Sequence, residues 1–236
     1  TIKHGTVSFN DGAGTQVISL GGGGLTVDST AAGNVTINPR VTINAIQTWT
    51  NNSTFNVNVA DIAAIDNAWS LEKGAFSLNA ANTGAGGVKI QNGAVVTSGN
   101  NASFGTGTVT VNNAALVTPN NTTRTLTNPV DFTGGTATLH KANGTQSSTL
   151  NLNGPVTISG NPTIVTSRDG TGSFAVNFNS NPVTLNSDAT FAPDVTTTIG
   201  AGLSWSAPRT LTVDGNGTLN LRGALNGGAN ALTLKG

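Results

Sequence analysis

General acid–base chemistry needs two carboxylates, or a carboxylate and a base, converging on one cleft. The chain supplies Asp11, Asp28, Asp61, Asp66, Glu72, Asp131, Asp169, Asp188, Asp194 and Asp214. Asp131 and Asp188 lie in or beside β-type runs far apart in sequence, so they would have to be brought together by the fold. The competing reading is that these acids are solvated turn residues, because Asp bonds its own backbone in turns. Arg168-Asp169-Gly170 would be an exposed ion pair or recognition loop, but Asp-Gly is first a turn signal. His4 and His140 are isolated in the sequence, with neither metal-ligand spacing nor triad context. Both read as surface or terminal histidines.

Other motifs fall short of known chemistry. Gly21-Gly22-Gly23-Gly24 is followed by no Gly-Lys-Ser/Thr, so it is no phosphate loop. Gly105-Thr106-Gly107 lacks the third glycine of a dinucleotide fingerprint and precedes a strand-like run. Both read as corner turns. No Gly-Gly-x-Gly-x-Asp series marks a calcium-binding repeat. Trp49, Trp69 and Trp205 would stack on sugars if exposed, yet aromatics are only 5% of the chain and read as core filler. Several sequons, including those at Asn34, Asn52, Asn121, Asn143 and Asn216, arise by chance in so Asn- and Thr-rich a chain and read as turn and ladder residues. The sequence therefore assigns no catalytic, cofactor-binding or metal-ligating residue, and no enzymatic activity is expected.

Composition narrows the class. Charged residues are 8% of 236 and net charge is zero, against about 25% charged in ordinary soluble domains. Disordered chains combine low hydrophobicity with high net charge, whereas here Thr and Val are plentiful and Gly and Asn punctuate them. That composition is a β-protein with many tight turns. Cysteine is absent, which excludes disulfides and thiolate chemistry. Methionine is absent too, so the expectation is a processed mature protein or an internal segment. No basic stripe suggests nucleic acid, and no apolar run is long enough to insert in a membrane as a helix.

The elements that would position any site repeat along the chain. Pro129, Pro155, Pro182 and Pro208 recur at a nearly constant step, each followed by a short β-type run. A second run starts soon after each of the first three prolines, at Ala137, Thr163 and Ala189. A third lies near Leu150, Ala175 and Leu203. Alternation of apolar residues with Thr or Asn buries one face of each run. Repeats of this length cannot bury their own apolar face and must stack. Three short strands per repeat predict one coil of a β-solenoid. The expected columns are Val130, Val156 and Val183, beside Phe132, Ile158, Leu185 and Val213.

Earlier segments repeat more tightly. Val88–Val96 matches Val109–Val117, Val35–Ile43 has the same shape, and Leu25-Thr26-Val27-Asp28 reappears as Leu211-Thr212-Val213-Asp214. Around Asp61–Ser70, Ile62, Ile65 and Trp69 stand at helical spacing. Residues 44–73 are therefore expected to be a corner insertion with a short helical turn. The fold class is all-β, a right-handed parallel β-helix, as one domain over 1–236. Its coils should be about 21–27 residues long, within the range of stacked repeat units.

Several motifs resemble the autotransporter-associated β-strand repeat. They are Trp69-Ser70-Leu71-Glu72-Lys73-Gly74-Ala75-Phe76-Ser77-Leu78, then Ala81-Asn82-Thr83-Gly84, Gly87-Val88, Gly93, and Phe104-Gly105-Thr106-Gly107-Thr108-Val109-Thr110-Val111. Leu219–Gly228 resembles the edge of another copy. Residues 69–117 carry the good match, and an aromatic that often follows Asn-Thr in the family is missing after Thr83. The resemblance implies a right-handed parallel β-helix in a secreted or surface-exposed bacterial protein, with a structural repeat and no catalytic residues to transfer.

The expected function is thus a non-enzymatic, extracellular or cell-surface structural protein: a stalk, adhesin segment, fibre or surface-layer subunit. Its expected partner is itself, head to tail, or neighbouring segments of a longer solenoid. The rival is a β-helix that binds or cleaves surface carbohydrate, which would need Asp, Arg and Trp clustered in a lateral groove. A β-sandwich adhesin is the third alternative, and the fixed period argues against it.

Overall fold

The computed structural model describes residues 1–3, 7–10, 16–179 and 181–236. His4, Asp11 and the start of the run at Thr6 lie outside the described residues. Among those described there is no helix, and every strand pairing is parallel. The fold is a β-solenoid, and a right-handed winding is consistent with its parallel crossovers. The chain packs as two compact units, Thr1–Val109 and Thr110–Gly236.

The strands of the first unit fall into three sheets. One sheet takes Leu25–Val27, Gln47–Asn51, Trp69–Glu72 and Val88–Gln91. The second takes Val7–Phe9, Val35–Ile37, Asn56–Val59, Ala75–Leu78 and Val95–Ser98. The third holds only Val17–Leu20, Arg40–Ile43 and Ile62–Ile65. Period-two alternation explains the packing. In the second sheet Val35, Val57, Phe76 and Val96 stack in one inward column, while Thr36, Asn58 and Ser77 between them face out. Coil length varies within this sheet. Val7 pairs with Val35 across a long coil and Val57 with Phe76 across a short one, a slightly wider spread than expected.

The corner insertion expected at 44–73 is not what forms. Gln47–Asn51, Asn56–Val59, Ile62–Ile65 and Trp69–Glu72 are regular strands of all three sheets. The helical spacing has a different cause. Register slips between Val41 and Thr42, so Val41 pairs with Ile62 while Ile43 pairs with Ile65. That bulge adds a residue to one strand. Ile62 and Ile65, three apart, can then both face the core, at 2% and 0% exposure.

Past Leu78 the third face of this unit is made of turns rather than strand. Gly84 (φ +90°) and Gly105 (φ +67°) sit one above the other there. A Cβ on Gly84 would lie 2.5 Å from Ile65 O, and one on Gly105 would lie 2.5 Å from Gly84 O. Glycine is thus required by both backbone angle and close coil approach. A second corner places Lys73 and Asn92 in left-handed conformation, at φ 57° each.

The second unit keeps three full sheets. The first runs through Val109–Asn112, Val130–Phe132, Val156–Ile158, Val183–Leu185, Gly202–Trp205 and Ala224–Asn226. The second runs through Ala114–Thr118, Thr136–Lys141, Thr163–Arg168, Ala189–Pro193, Arg209–Val213 and Leu232–Lys235. The third runs through Thr123–Leu126, Ser148–Leu152, Phe174–Phe178, Thr196–Ile199 and Leu219–Leu221. Val130, Val156 and Val183 form one column and Phe132, Ile158 and Leu185 the next, as expected.

Two assignments shift. Val213 stacks on Phe191 in the second sheet, and the residue above Leu185 is Trp205. Leu203 pairs with Val183, so it belongs to the first sheet and not to the third-strand series of Leu150 and Ala175. Both follow from one shortened coil. Val183 finds its partner at Leu203, a markedly smaller step along the chain than the one from Val156 to Val183. The proline series therefore marks the first sheet three times, and Pro208 precedes a strand of the second.

Val156 is 2% exposed between Val130 and Val183. Val156→Asp buries an unpaired charge and should cost several kcal/mol, on the order of 3 or more, in urea unfolding. Thr157→Ala, on the outward face of the same strand, should stay within about 0.5 kcal/mol of the parent.

Candidate functional site

The two carboxylates singled out for acid–base work do not meet. Asp131 faces outward from Val130–Phe132 in the first sheet, where Ser159 Oγ donates to it at 3.4 Å. Partial burial raises its pKa above the usual carboxylate value, and the Ser159 bond opposes that rise. Asp188 stands at the entry to Ala189–Pro193 in the second sheet and accepts the Thr210 N–H at 2.8 Å. It lines an open hollow of about 260 Å³ with Asn161, Thr190, Thr210, Thr212 and Lys235.

Three other acids serve local structure. Asp28 accepts the Thr30 N–H and hydroxyl, which lowers its pKa. Asp61 pairs with Arg40 at 3.0 Å, and Glu72 accepts Gln91 Nε2 at 2.6 Å one coil away. Gly21–Gly24 and Gly105–Gly107 are corner turns. The sequon asparagines Asn34, Asn52, Asn121, Asn143 and Asn216 are exposed and outside strands. Asn34 Oδ1 accepts the Asn56 N–H at 3.0 Å, a bond between coils.

The tryptophans are not a sugar platform. Trp49 and Trp69 are fully buried and meet edge to face, with centroids 4.8 Å apart at 74°. Gln47 Oε1 takes the Trp49 Nε1–H at 2.8 Å, so the polar end of that indole is satisfied inside. Trp205 donates to Asn230 O at 3.0 Å, and its ring fills the space that a side chain on Gly227 would need.

The one convergence of reactive side chains among the described residues lies where the sequence showed isolated residues. The Thr136–Lys141 and Thr163–Arg168 strands pair in register, which sets His140 beside Ser167. His140 Nδ1 is 2.9 Å from Ser167 Oγ, and His140 Nε2 is 3.1 Å from Asp169 Oδ2. The imidazole is 20% exposed and the carboxylate 64%. His140 is therefore neither isolated nor without triad context. The reading failed because its partners lie a full coil further along the chain. The signal was present, since adding one coil length to 140 reaches Ser167.

Asp169 is also part of a turn. Arg168 Nη1 donates to Gly172 O at 3.0 Å and closes the loop, with Gly170 at φ +76°. The turn reading of Arg168-Asp169-Gly170 holds, and the same turn delivers a carboxylate to the histidine. Arg168 also lines a second open hollow of about 250 Å³ with Ser173, Asp194, Thr196 and Thr218.

Sequence reasoning passed over Lys141. It ends the strand facing inward, is completely buried, and lies in register with Thr118 and Arg168. Its ammonium donates to the carbonyls of Ala142 (3.1 Å), Gly144 (3.1 Å) and Asp169 (3.3 Å). It thereby ties the Asp169 turn to the coil below. Removing it leaves carbonyls that had accepted charge-assisted bonds, plus a void. Comparison with protein-family profiles, with curated proteins and with solved structures gives no match.

Two expectations follow. Lys141→Ala should lose at least about 2 kcal/mol of stability by urea unfolding, because a bond to a charged donor is worth more than a neutral one. Asp131 has a folded pKa raised above its unfolded value, so its ionised form opposes folding. That opposition is present above the folded pKa and fades as pH falls through it. Asp131→Asn should therefore slightly raise the urea midpoint at neutral pH, and the gain should shrink in acid. A lower midpoint at neutral pH would contradict this assignment.

Proposed function

We propose that the chain is a non-enzymatic structural protein of the bacterial exterior, a β-solenoid stalk or fibre segment of the autotransporter-repeat type. The observation that carries this reading is the coil-to-coil bonding of the outer polar face. Asn177 Nδ2 donates to Asn151 Oδ1 at 3.0 Å, and Asn179 reaches Asn151 and Asn153 at 3.2 and 3.4 Å. Ser173 and Ser147 lie 2.7 Å apart, and Asn56 donates to Ser77 at 2.8 Å. Side chains that elsewhere would offer recognition chemistry here tie each coil to the next. Such ladders stiffen the coil axis and resist its extension, which is the work of a stalk.

The same logic makes another β-coil the natural partner. A strand at the end of a stack presents unpaired N–H and C=O groups. Phe9, Leu225 and Leu234 are exposed large apolar residues on the outermost coils of this chain, in register with buried Ile37, Leu203 and Leu211. A further coil would cover them, whether from the same polypeptide or from a second copy. Zero net charge opposes no such approach. A head-to-tail contact repeats without closing unless the rotation forms a ring.

A second reading rests on the two open hollows of the second unit, where Asp188 with Lys235 and Asp194 with Arg168 line polar concavities rich in Thr. Hydroxyl-rich sugars suit that chemistry, and a surface carbohydrate would be the ligand of an adhesin segment.

Electron microscopy of the purified chain separates the readings. The stalk account expects rods, growing into filaments as concentration rises, and Leu234→Pro should block growth while leaving the far-UV circular dichroism intact. Compact globules at all concentrations would contradict it. Glycan-array binding abolished by Asp188→Ala or Asp194→Ala would favour the adhesin reading.

A further inference from the structure

We propose that Ser167 is an activated nucleophile, a self-acylating modification site that takes an acyl group from an activated carboxylic ester. The partners of His140 determine the chemistry. Asp169, as a carboxylate, can only accept a hydrogen bond. The neutral imidazole must then carry its proton on Nε2, facing Asp169 Oδ2 at 3.1 Å. Nδ1 is left as a lone pair, and the only donor that can face it at 2.9 Å is the Ser167 O–H. A serine hydroxyl aimed at an imidazole lone pair, with the far nitrogen oriented by a carboxylate, is the arrangement that raises serine nucleophilicity.

The scaffold fixes this geometry. His140 and Ser167 face outward from paired strands, so their separation is set by the backbone ladder. Val117, 7% exposed, is the register neighbour of His140 on its other side. Asp169 is held by Lys141, whose ammonium bonds the Asp169 carbonyl, and by the Asp169 N–H donating to Lys141 O at 3.2 Å.

In the reaction, Ser167 Oγ forms a bond to the ester carbonyl carbon while its proton passes to His140 Nδ1. The tetrahedral adduct expels the leaving alcohol or phenolate, which takes the proton back from Nδ1. The products are acyl-Ser167 and the free alcohol, with no change of oxidation state. This goes beyond the mechanical role: it gives the stalk a point of covalent attachment.

The test uses the intact chain and p-nitrophenyl acetate, with p-nitrophenolate release followed by absorbance and the acetyl group located by peptide mass mapping. One acetyl on Ser167 is expected, with none there in Ser167→Ala. In His140→Gln, labelling at Ser167 should be about 100-fold slower, the usual contribution of a general base. Far-UV circular dichroism establishes that each variant keeps its strands. Asp169 is a positioning residue, so Asp169→Asn should slow labelling and also move the His140 proton from Nε2 to Nδ1 in ¹⁵N spectra, because an amide can donate to Nε2. The proposal is overturned if acetyl groups appear only on lysines or the N-terminus, or if folded His140→Gln labels Ser167 at the parental rate.

Discussion

Everything in this molecule depends on parallel backbone pairing between a residue and the one a coil later. The ladder spaces paired strands about 4.8 Å apart and satisfies the N–H and C=O groups of every interior strand. It also forces like positions to stack, so a coil that places valine inward at one level must place something compatible above it. Val130, Val156 and Val183 obey this constraint, as do Leu126, Leu152, Phe178 and Ile199 in the third sheet of the same unit. Few aromatics are needed, because columns of branched aliphatics fill a narrow core. The large rings cluster where columns meet, as in the edge contact of Phe178 with Phe191.

The same stacking governs the polar residues. Outward positions become ladders of Asn, Thr and Ser, and some inward polar groups find partners across coils, such as Thr166 with Thr197 at 2.7 Å. Lys141 is the extreme case, an ammonium whose acceptors are backbone carbonyls of neighbouring turns. Chemistry on this scaffold arises between coils, since side chains one coil apart are nearer than residues two apart on the same face of one strand. His140 and Ser167 are such a pair.

Much of the fold was legible because alternation and period are local. Runs such as Thr149-Leu150-Asn151-Leu152 announce which side is buried, and the spacing of Pro129, Pro155 and Pro182 sets the coil. Phase was harder to read. All three faces share one apolar–Thr alternation, so Leu25-Thr26-Val27-Asp28 in a first-sheet strand matches Leu211-Thr212-Val213-Asp214 in a second-sheet strand. Likewise Val35–Ile37 and Val88–Gln91 look alike yet lie in different sheets. The shortened coil after Val183 moved Pro208 out of series, and the bulge opposite Val41 made strand residues look helical. The His140 cluster was hidden for a simpler reason: its members are neighbours only after the coil length is applied.

The register itself is open to direct measurement, because the chain has no cysteine to confuse the result. Thr157 and Thr184 are outward-facing partners in adjacent coils. Their expected separation, about 4.8 Å, lies within the Cα range of disulfides, about 4.4–6.8 Å. In the double variant Thr157→Cys, Thr184→Cys, mild oxidation should form one intramolecular disulfide rapidly, seen by mass spectrometry of the unreduced peptides. Thr157→Cys paired with Ser187→Cys, out of register with it, should not form it under the same conditions. Efficient closure of the displaced pair, with none of the in-register pair, would contradict the stacked parallel coil on which the account rests.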